Sequence, residues 1–244
     1  MSTPLTDYLV TARTFEEYLE MFALDLPTLA GQRVLDCPGG AASFAADGRR
    51  HGVRVTALDP AYALAPGDLA VRALDDVRTG ADHVAGSLEA YDWSSFGSPE
   101  AHRAARTAAA GRFALDLRRR PGDYVAGSLP DTGLPAESFD LVLSSHLLFT
   151  YADRLDAAFH RAAVRELLRV LRPGGELRVF PLVDLRAHRP DLVDEVVADV
   201  RSSGTAAAEA PVRYRFQRGA DSMLLLRKGV SAPSGCAGPR HAAS

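Results

Sequence analysis

The unit that most constrains the fold lies within residues 33–60, RVLDCPGGAASFAADGRRHGVRVTALDP. Residues 33–37 have the pattern of a short strand, and residues 53–58 that of a second strand of alternating small and β-branched residues. Residues 41–51 between them have the pattern of a helix that begins after a Pro-Gly-Gly turn. A strand, a helix and a second strand in this order predict two parallel strands joined by a helical crossover.

The same alternation continues along the chain. It predicts further strands at 123–127, 139–144 and 176–181, and helices at 153–171 and 191–202. Pro173-Gly174-Gly175 is a typical signal for the end of a helix before the next strand.

The end of this alternating region predicts a hairpin, because residues 212–216 and 222–228 have strand patterns on either side of a turn with Gly219. We therefore expect an α/β fold with a doubly wound, mostly parallel seven-stranded sheet and an antiparallel C-terminal hairpin strand. In such sheets a ligand binds beyond the carboxyl ends of the strands, where the strand order reverses.

Three further segments flank or interrupt this domain, which we place at residues 30–228. Residues 1–29 have apolar positions at helical spacing and predict a helical lid. Residues 60–122 are far longer than one crossover helix, so they predict a helical insert. Residues 229–244 are small, polar and rich in proline and glycine, as is typical of a disordered tail.

Composition limits the functions that this fold could carry. The 244 residues are 47% hydrophobic, and the net charge of −3 gives no electrostatic footprint for nucleic acid or an anionic membrane. No apolar run approaches the roughly 20 residues that span a bilayer. Cys37 and Cys236 do not make a disulfide framework, and residues 1–22 lack the pattern of a targeting peptide. We expect a soluble cytoplasmic protein; nothing in the sequence marks a subunit interface.

Three blocks of sequence resemble the class I S-adenosylmethionine-dependent methyltransferases over roughly residues 30–228. They are VLDCPGGAASFAADG with VTALDP behind it, LPAESFDLVLSSHLLF, and RELLRVLRPGGELRVFPL. The resemblance implies S-adenosylmethionine as the cofactor. The family has three glycines at alternate positions of its first turn, and this chain has Pro38, Gly40 and Ala42 there, so its glycine loop is degenerate.

The resemblance also places cofactor-binding residues at the ends of the first two strands. Those at the first turn are Asp36, Cys37, Pro38, Gly39 and Gly40. Glycine lets the backbone pass close to a ligand there, and the acid before the turn would order the loop or reach the cofactor's ammonium group. Asp59, about 20 residues past the turn, would accept hydrogen bonds from both ribose hydroxyls, and Pro60 would hold that strand end rigid.

The third strand end has two candidates for a contact with the adenine ring. Ser128 comes first and could make a weaker contact, whereas Asp131 could reach the ring only if the loop folds back. A role for both as plain turn residues is the remaining alternative.

The residues after the fourth strand would face the methyl group of the cofactor. The resemblance makes Ser144 and Ser145 candidate cofactor contacts. His146 is a candidate general base, because an unperturbed imidazole titrates near pH 6.5. Tyr151 could position a substrate or hold a sulfonium against its ring face.

Three classes of function stay open from the sequence. The first is methyl transfer to a small-molecule acceptor. The second is a cyclase or lyase of the azetidine-2-carboxylate type, which consumes S-adenosylmethionine and releases methylthioadenosine. The third is a non-catalytic binding protein that has lost two loop glycines. No run of acids at metal-ligand spacing follows the fourth strand, so we expect no metal. The third block and the closing hairpin disfavour a NAD-dependent oxidoreductase.

Overall fold

The computed structural model describes residues 8–229, in which the strands form one seven-stranded sheet. The strands are β1 (Arg33–Asp36), β2 (Arg54–Leu58), β3 (Tyr124–Val125), β4 (Phe139–Ser145), β5 (Leu171–Phe180), β6 (Ala206–Pro211) and β7 (Ser222–Arg227). Their order is β3-β2-β1-β4-β5-β7-β6, and only β7 runs antiparallel to its neighbours. The predicted fold class is confirmed.

Seven helices connect these strands within the described residues. They are α1 (Phe15–Met21), α2 (Leu26–Leu29), α3 (Phe44–Gly48), α4 (Pro66–Ala85), α5 (Pro99–Arg119), α6 (Ala157–Val170) and α7 (Leu192–Ser202). The apolar residues form two clusters, one with α1, α3, α4 and α5 and the other with α6 and α7. None of the helices within residues 8–229 is both long and apolar enough to cross a membrane.

The centre of the sheet is β1, which pairs in parallel with β2 on one side and β4 on the other. Val34 and Leu35 point to opposite faces and are both fully buried, because helices cover each face of the sheet. The chain proceeds outward from β1 in both directions, so a crevice opens between the carboxyl ends of β1 and β4.

The helix after the glycine turn is shorter than predicted. Residues 41–51 were expected to be helical, but α3 covers only Phe44–Gly48 and is followed by one 3-10 turn. The amides of Ala41 and Ser43 donate to the carbonyls of Thr11 and Arg13, at 3.1 and 2.9 Å, so an incoming segment fixes the turn in a non-helical path.

The segment between β2 and β3 is helical as predicted, with α4 and α5 packed against each other. Arg49, beyond α3, ties α5 to the core through the carboxylates of Asp116 and Asp123. The aromatic residues Tyr91 and Trp93 lie between α4 and α5 and pack on Phe216, with ring centroids 4.7 and 5.7 Å apart. These rings anchor the insert to the C-terminal part of the chain.

The predicted C-terminal hairpin was wrong in its first strand. The partner of β7 is Ala206–Pro211 rather than residues 212–216. Val212, Tyr214 and Phe216 do alternate into the interior, but they bury their side chains against the insert instead of a neighbouring strand. Gly219 has a φ of +80° within the connection, which is longer than the tight turn we expected.

Two other boundaries differ from the prediction. The helix α6 ends at Val170 and β5 begins at Leu171, so Pro173-Gly174-Gly175 lies inside β5, near a register shift against β4. Residues 1–7 of the predicted lid lie outside the described residues. Within residues 8–29, α1 and α2 are helical and residues 8–14 are not, because the side chain of Thr14 caps α1. The predicted tail, except Gly229, lies outside the described residues.

Candidate functional site

A cavity of about 500 Å³ opens at the carboxyl ends of β1, β2 and β4. We call it the first cavity. The predicted site residues that line it are Cys37, Pro38, Gly39, Gly40, Asp59, Pro60, Ser128, Ser145, His146 and Tyr151. Its volume is within the range of about 300–1,000 Å³ typical of small-molecule sites. The structure therefore brings most of the predicted residues together at one place.

The glycine turn contacts the rest of the protein closely. A Cβ atom on Gly39 would lie 2.5 Å from the hydroxyl oxygen of Tyr62, and a Cβ on Gly40 would lie 2.8 Å from the carbonyl oxygen of Thr11. Gly40 also has a φ of +52°, which favours glycine. The hydroxyl of Tyr62 donates to the Gly40 carbonyl at 2.8 Å. The two glycines thus allow close approach of neighbouring protein segments, in addition to any ligand.

Residues 8–14, which we call the cover segment, lie across this turn. The segment accepts hydrogen bonds from the turn at Thr11 and Arg13, as described above. Its other side is fixed to α4, because the amide of Val10 donates to the carboxylate of Asp76 at 2.8 Å. The cover segment therefore joins the glycine turn to the insert and forms one wall of the first cavity.

Asp59 lies at the end of β2, where its carboxylate is held by the backbone. One oxygen accepts from the Gly40 amide at 3.0 Å and the other from the Ala61 amide at 2.9 Å. The residue is 8% exposed, and burial raises the pKa of its carboxyl group although both backbone hydrogen bonds oppose the rise. A carboxylate has about four acceptor positions, so two stay available for donors in the cavity.

Asp36 is fully buried and does not line the first cavity. Both of its carboxylate oxygens accept from the hydroxyl of Tyr18, at 3.0 and 3.1 Å. Burial raises the pKa of Asp36 well above its usual value. Of the two predicted roles, the geometry supports the ordering of the loop, because Asp36 ties the end of β1 to α1.

At the third strand end, the structure distinguishes between Ser128 and Asp131. Ser128 lines the first cavity, whereas Asp131 does not. The carboxylate of Asp131 accepts from the amide of Gly133 at 3.1 Å and so belongs to the turn. The loop does turn back here, because Ser128 and Asp131 form an antiparallel bridge, but the turn leaves Asp131 outside the first cavity.

The three predicted residues at the end of β4 also differ in whether they line the first cavity. Ser144 is fully buried and outside the first cavity, and its hydroxyl has no hydrogen-bond partner among the described residues. Ser145 and His146 line the first cavity, and their side chains hydrogen-bond to each other, with Oγ and Nδ1 2.8 Å apart.

His146 has an unusual backbone. Its φ is +53°, and its amide donates to the carbonyl of Phe180 at 2.8 Å. A non-glycine residue in this region costs on the order of 1–2 kcal/mol, and such residues concentrate at functional sites. Burial, and then the charges of Arg13 and Arg106, lower the pKa of His146 well below its usual value, so the imidazole is neutral at pH 7.

Tyr151 lines the first cavity, but its ring is already in contact with other side chains. The ring of Tyr8 packs edge-on at 4.7 Å, and the guanidinium of Arg154 lies over the Tyr151 ring, 5.2 Å from its centroid. This cation takes a ring face that we predicted for a sulfonium. The structure supports Tyr151 as part of the wall of the cavity.

Several lining residues were not predicted as cofactor or catalytic residues. They are Tyr8, Leu9, Val10, Thr11, Arg13, Tyr18, Leu58, Ala61, Ala63, Leu64, Arg72, Gly127, Leu129, Leu147, Leu155 and Phe159. The amphipathic pattern of residues 1–29 indicated a cover but not which of its side chains face inward. Arg72 and Phe159 come from helices whose sequence carries no signal of a site.

Comparisons with known proteins bear on the fold. A family model described as a methyltransferase domain matches residues 97–179, from α5 to β5. The match covers β3 and β4, which border the cavity, and the sheet has the mostly parallel, seven-stranded arrangement that we expected. The protein has the class I S-adenosylmethionine-dependent methyltransferase fold.

Relatives with weaker similarity extend over most of this methyltransferase-fold chain. Uncharacterized protein MJ0045 of Methanocaldococcus jannaschii is 26% identical over 225 residues, which are 92% of this chain and 98% of that protein. The 1,6-didemethyltoxoflavin-N1-methyltransferase of Burkholderia thailandensis is 14% identical with a TM-score of 0.48, covering 87% of this chain and 78% of that one. N-methyltransferase NodS of Bradyrhizobium japonicum is 17% identical with a TM-score of 0.46, covering 88% and 95%.

The family match supports S-adenosylmethionine as the cofactor and methyl transfer as the activity. The residues present fit this group, because the first cavity is large enough and Asp59 retains acceptor capacity on a buried, backbone-fixed carboxylate. No cluster of three or more His, Cys, Asp or Glu side chains within residues 8–229 could hold a metal ion.

Proposed function

We propose that this protein transfers the methyl group of S-adenosylmethionine to a small-molecule acceptor in the first cavity. The observation that carries the proposal is the position of Asp59, whose carboxylate is fixed by the amides of Gly40 and Ala61 at the wall of this cavity. A carboxylate at the end of the second strand is the group that holds ribose hydroxyls in dinucleotide-type sites.

The roles of the other lining residues follow from their places around Asp59. Pro38, Gly39 and Gly40 would border the cofactor along the turn, and Ser128 would lie at the adenine end. When bound, S-adenosylmethionine supplies a methyl group activated by its sulfonium. The protein contributes mainly by holding donor and acceptor in line, which can supply much of the rate enhancement.

His146 is the residue we propose for a proton that the acceptor must lose. It is neutral, lines the first cavity and is oriented through Nδ1 by the hydroxyl of Ser145. A neutral imidazole within reach of an acceptor N–H or O–H can take its proton as the bond to the methyl group forms. The left-handed backbone of His146 fixes this placement at the end of β4.

The first test is calorimetric titration with S-adenosylhomocysteine of the wild type and of Asp59→Asn. We expect at least tenfold weaker binding by the variant, about 1.4 kcal/mol, because two ribose hydroxyls lose their charged acceptor. Asp131→Asn is the matched control, since Asp131 is exposed and outside the cavity, and it should bind as the wild type does.

The second test identifies the products after incubation with S-adenosylmethionine and a panel of small-molecule acceptors. Formation of S-adenosylhomocysteine with a methylated acceptor supports methyl transfer. Release of methylthioadenosine without an acceptor would instead indicate the cyclase or lyase reaction. If the wild type does not bind S-adenosylhomocysteine, both enzymatic functions fail and the binding-protein alternative remains.

A further inference from the structure

A second cavity of about 130 Å³ adjoins the first, between the cover segment, α4, α5 and the residues after β4. Five residues line both cavities: Leu9, Thr11, Arg13, His146 and Tyr151. The second cavity contains no residue of the glycine turn and not Asp59. It therefore begins at His146, on the side of the site that faces away from the proposed cofactor contacts.

The second cavity is rich in positive charge. Three arginines line it, Arg13, Arg103 and Arg106, and among the described residues the acidic residue that lines it is Asp76. That carboxylate is already engaged, because it accepts from the Val10 amide at 2.8 Å and lies 3.6 Å from Arg72. The wall thus has more cationic groups than the protein itself neutralises.

Behind this wall lies a single buried carboxylate, Glu17, between two buried guanidinium groups. The carboxylate of Glu17 accepts a direct hydrogen bond from Arg106, one from the hydroxyl of Tyr214 at 2.8 Å and one from the amide of Thr14 at 2.8 Å. Nη1 of Arg13 is 3.6 Å from Glu17, too far for a hydrogen bond. Arg13 thus forms an ion pair with Glu17 without a hydrogen bond, and burial, and then the charge of Arg106, lower the pKa of its guanidinium group.

Two buried side chains at this cavity have donors without partners. Arg13 is 7% exposed, and its Nε and Nη1 make no hydrogen bond within residues 8–229. Thr150 is 4% exposed, lines the second cavity, and its hydroxyl is likewise without a partner in that range. Leaving a buried donor unpaired costs on the order of 1–3 kcal/mol, and more for a charged group, so a ligand oxygen that reached either donor from the cavity would be stabilised.

We propose that the second cavity binds the carboxylate-bearing part of the methyl acceptor, with Arg13 as the residue that holds the carboxylate. The inference rests on the proposed function, because it assigns the substrate class of that same site. A guanidinium donates to a carboxylate in a planar, two-bond arrangement, and the hydroxyl of Thr150 adds a neutral donor. An engineered cavity of about 150 Å³ takes a benzene ring, so this one suits a small ring or a short branched chain.

The experiment uses the full-length protein saturated with S-adenosylhomocysteine. Benzoate, phenylacetate and isovalerate are titrated, each against its neutral amide, and binding is followed by calorimetry or ligand-observed NMR. We expect at least one carboxylate to bind tenfold or more tightly than its amide. If the wild type binds no carboxylate of this set in preference to its amide, the proposal is wrong.

Variants then test which residues bind the carboxylate. Arg13→Met should abolish the preference for carboxylate over amide, and Arg13→Lys should restore part of it because the charge returns. Thr150→Val, which removes only the hydroxyl, should weaken carboxylate binding about threefold to tenfold, whereas the exposed control Thr79→Val should not. Far-UV circular dichroism confirms folding, and the comparison of acid with amide in the wild type does not depend on any variant.

A further experiment tests whether the carboxylate that Arg13 binds belongs to the acceptor or to the cofactor. S-Adenosylhomocysteine carries a carboxylate and methylthioadenosine does not. If Arg13→Met weakens S-adenosylhomocysteine tenfold and leaves methylthioadenosine unchanged, Arg13 binds the cofactor and our assignment is overturned. Failure of the proposed function has a different signature: no S-adenosylhomocysteine binds to the wild type, while the carboxylate titrations can still be run without it.

Discussion

The edge of the sheet and the segments packed over it hold their polar groups in different ways around the first cavity. At the sheet, Asp59 is fixed by two backbone amides and keeps acceptor positions that face the cavity. Behind the cover segment, the side chains of Glu17, Arg106 and Tyr214 are buried together and hydrogen-bond to one another, and Arg13 lies 3.6 Å from Glu17. The sheet side presents the carboxylate that we propose for the ribose hydroxyls, whereas the segments packed over it carry the charges that we propose for the acceptor.

This difference also explains the degenerate glycine loop. Gly39 and Gly40 remain glycines because Tyr62 and the cover segment pass within less than 3 Å of where a Cβ would lie. Ala42 is tolerated in the same turn although it is buried. The requirement for glycine is thus a property of each position's neighbours, and a missing glycine in the motif does not by itself indicate a lost cofactor site.

The largest expected effect comes from removing one partner from the buried charges around Glu17. Arg106→Met would leave Glu17 buried without its main partner, and we expect a loss of about 3–5 kcal/mol in the free energy of unfolding. Urea denaturation measures it. The control Arg103→Met changes an exposed arginine on the same helix and should stay within about 0.5 kcal/mol. A loss below 1 kcal/mol for Arg106→Met would show that the buried carboxylate of Glu17 does not depend on Arg106.

A second prediction concerns how His102, in α5, makes the free energy of unfolding depend on pH. Burial, and then the charge of Arg106, lower the pKa of His102 to about 3. The unfolded chain protonates this histidine near pH 6.5, so it binds more protons than the folded state between these values. The folded state should therefore lose stability as the pH falls from about 6.5 towards 3, by up to about 1.4 kcal/mol for each pH unit.

His102→Gln tests this, because the amide oxygen of glutamine can still accept from Nε of Arg106, which donates to His102 at 3.1 Å. Urea midpoints measured from pH 7 to pH 4.5 should fall less steeply for this variant than for the wild type. His188→Gln alters an exposed histidine and serves as the control. Parallel pH curves for His102→Gln and the wild type would contradict the prediction.

A smaller effect would sharpen the comparison at the glycine turn. Gly40→Ala places a methyl group 2.8 Å from the Thr11 carbonyl at a φ of +52°, so we expect a loss of about 1–3 kcal/mol and weaker S-adenosylhomocysteine binding. Gly111→Ala in α5 meets nothing within 4 Å and should gain about 0.5–1 kcal/mol. Urea denaturation of both variants measures the pair. Equal stabilities would show that the cover segment does not constrain Gly40.

Much of the sheet side could be predicted from local sequence. The strands β1, β2 and β4 are short apolar runs, and Asp59 follows β2 at a position that parallel topology sends to the ligand edge. The prediction of 212–216 as a strand was wrong because alternation reports which side chains are buried, and not what buries them. Tyr214 and Phe216 alternate inward against the insert, and no neighbouring strand is needed for that pattern.

The sequence by itself determined the order of strands and helices, the site edge, and the residues at the ends of β1, β2 and β4, because each depends on periodicity and turns over a few residues. The tertiary structure decided which polar groups meet. Arg13, Arg106 and Tyr214 are far apart along the chain, and their contacts around Glu17 depend on how α1, α5 and the segment before β7 pack. Burial then sets their charges and the unpaired donors of the second cavity, since desolvation is a property of the packed molecule.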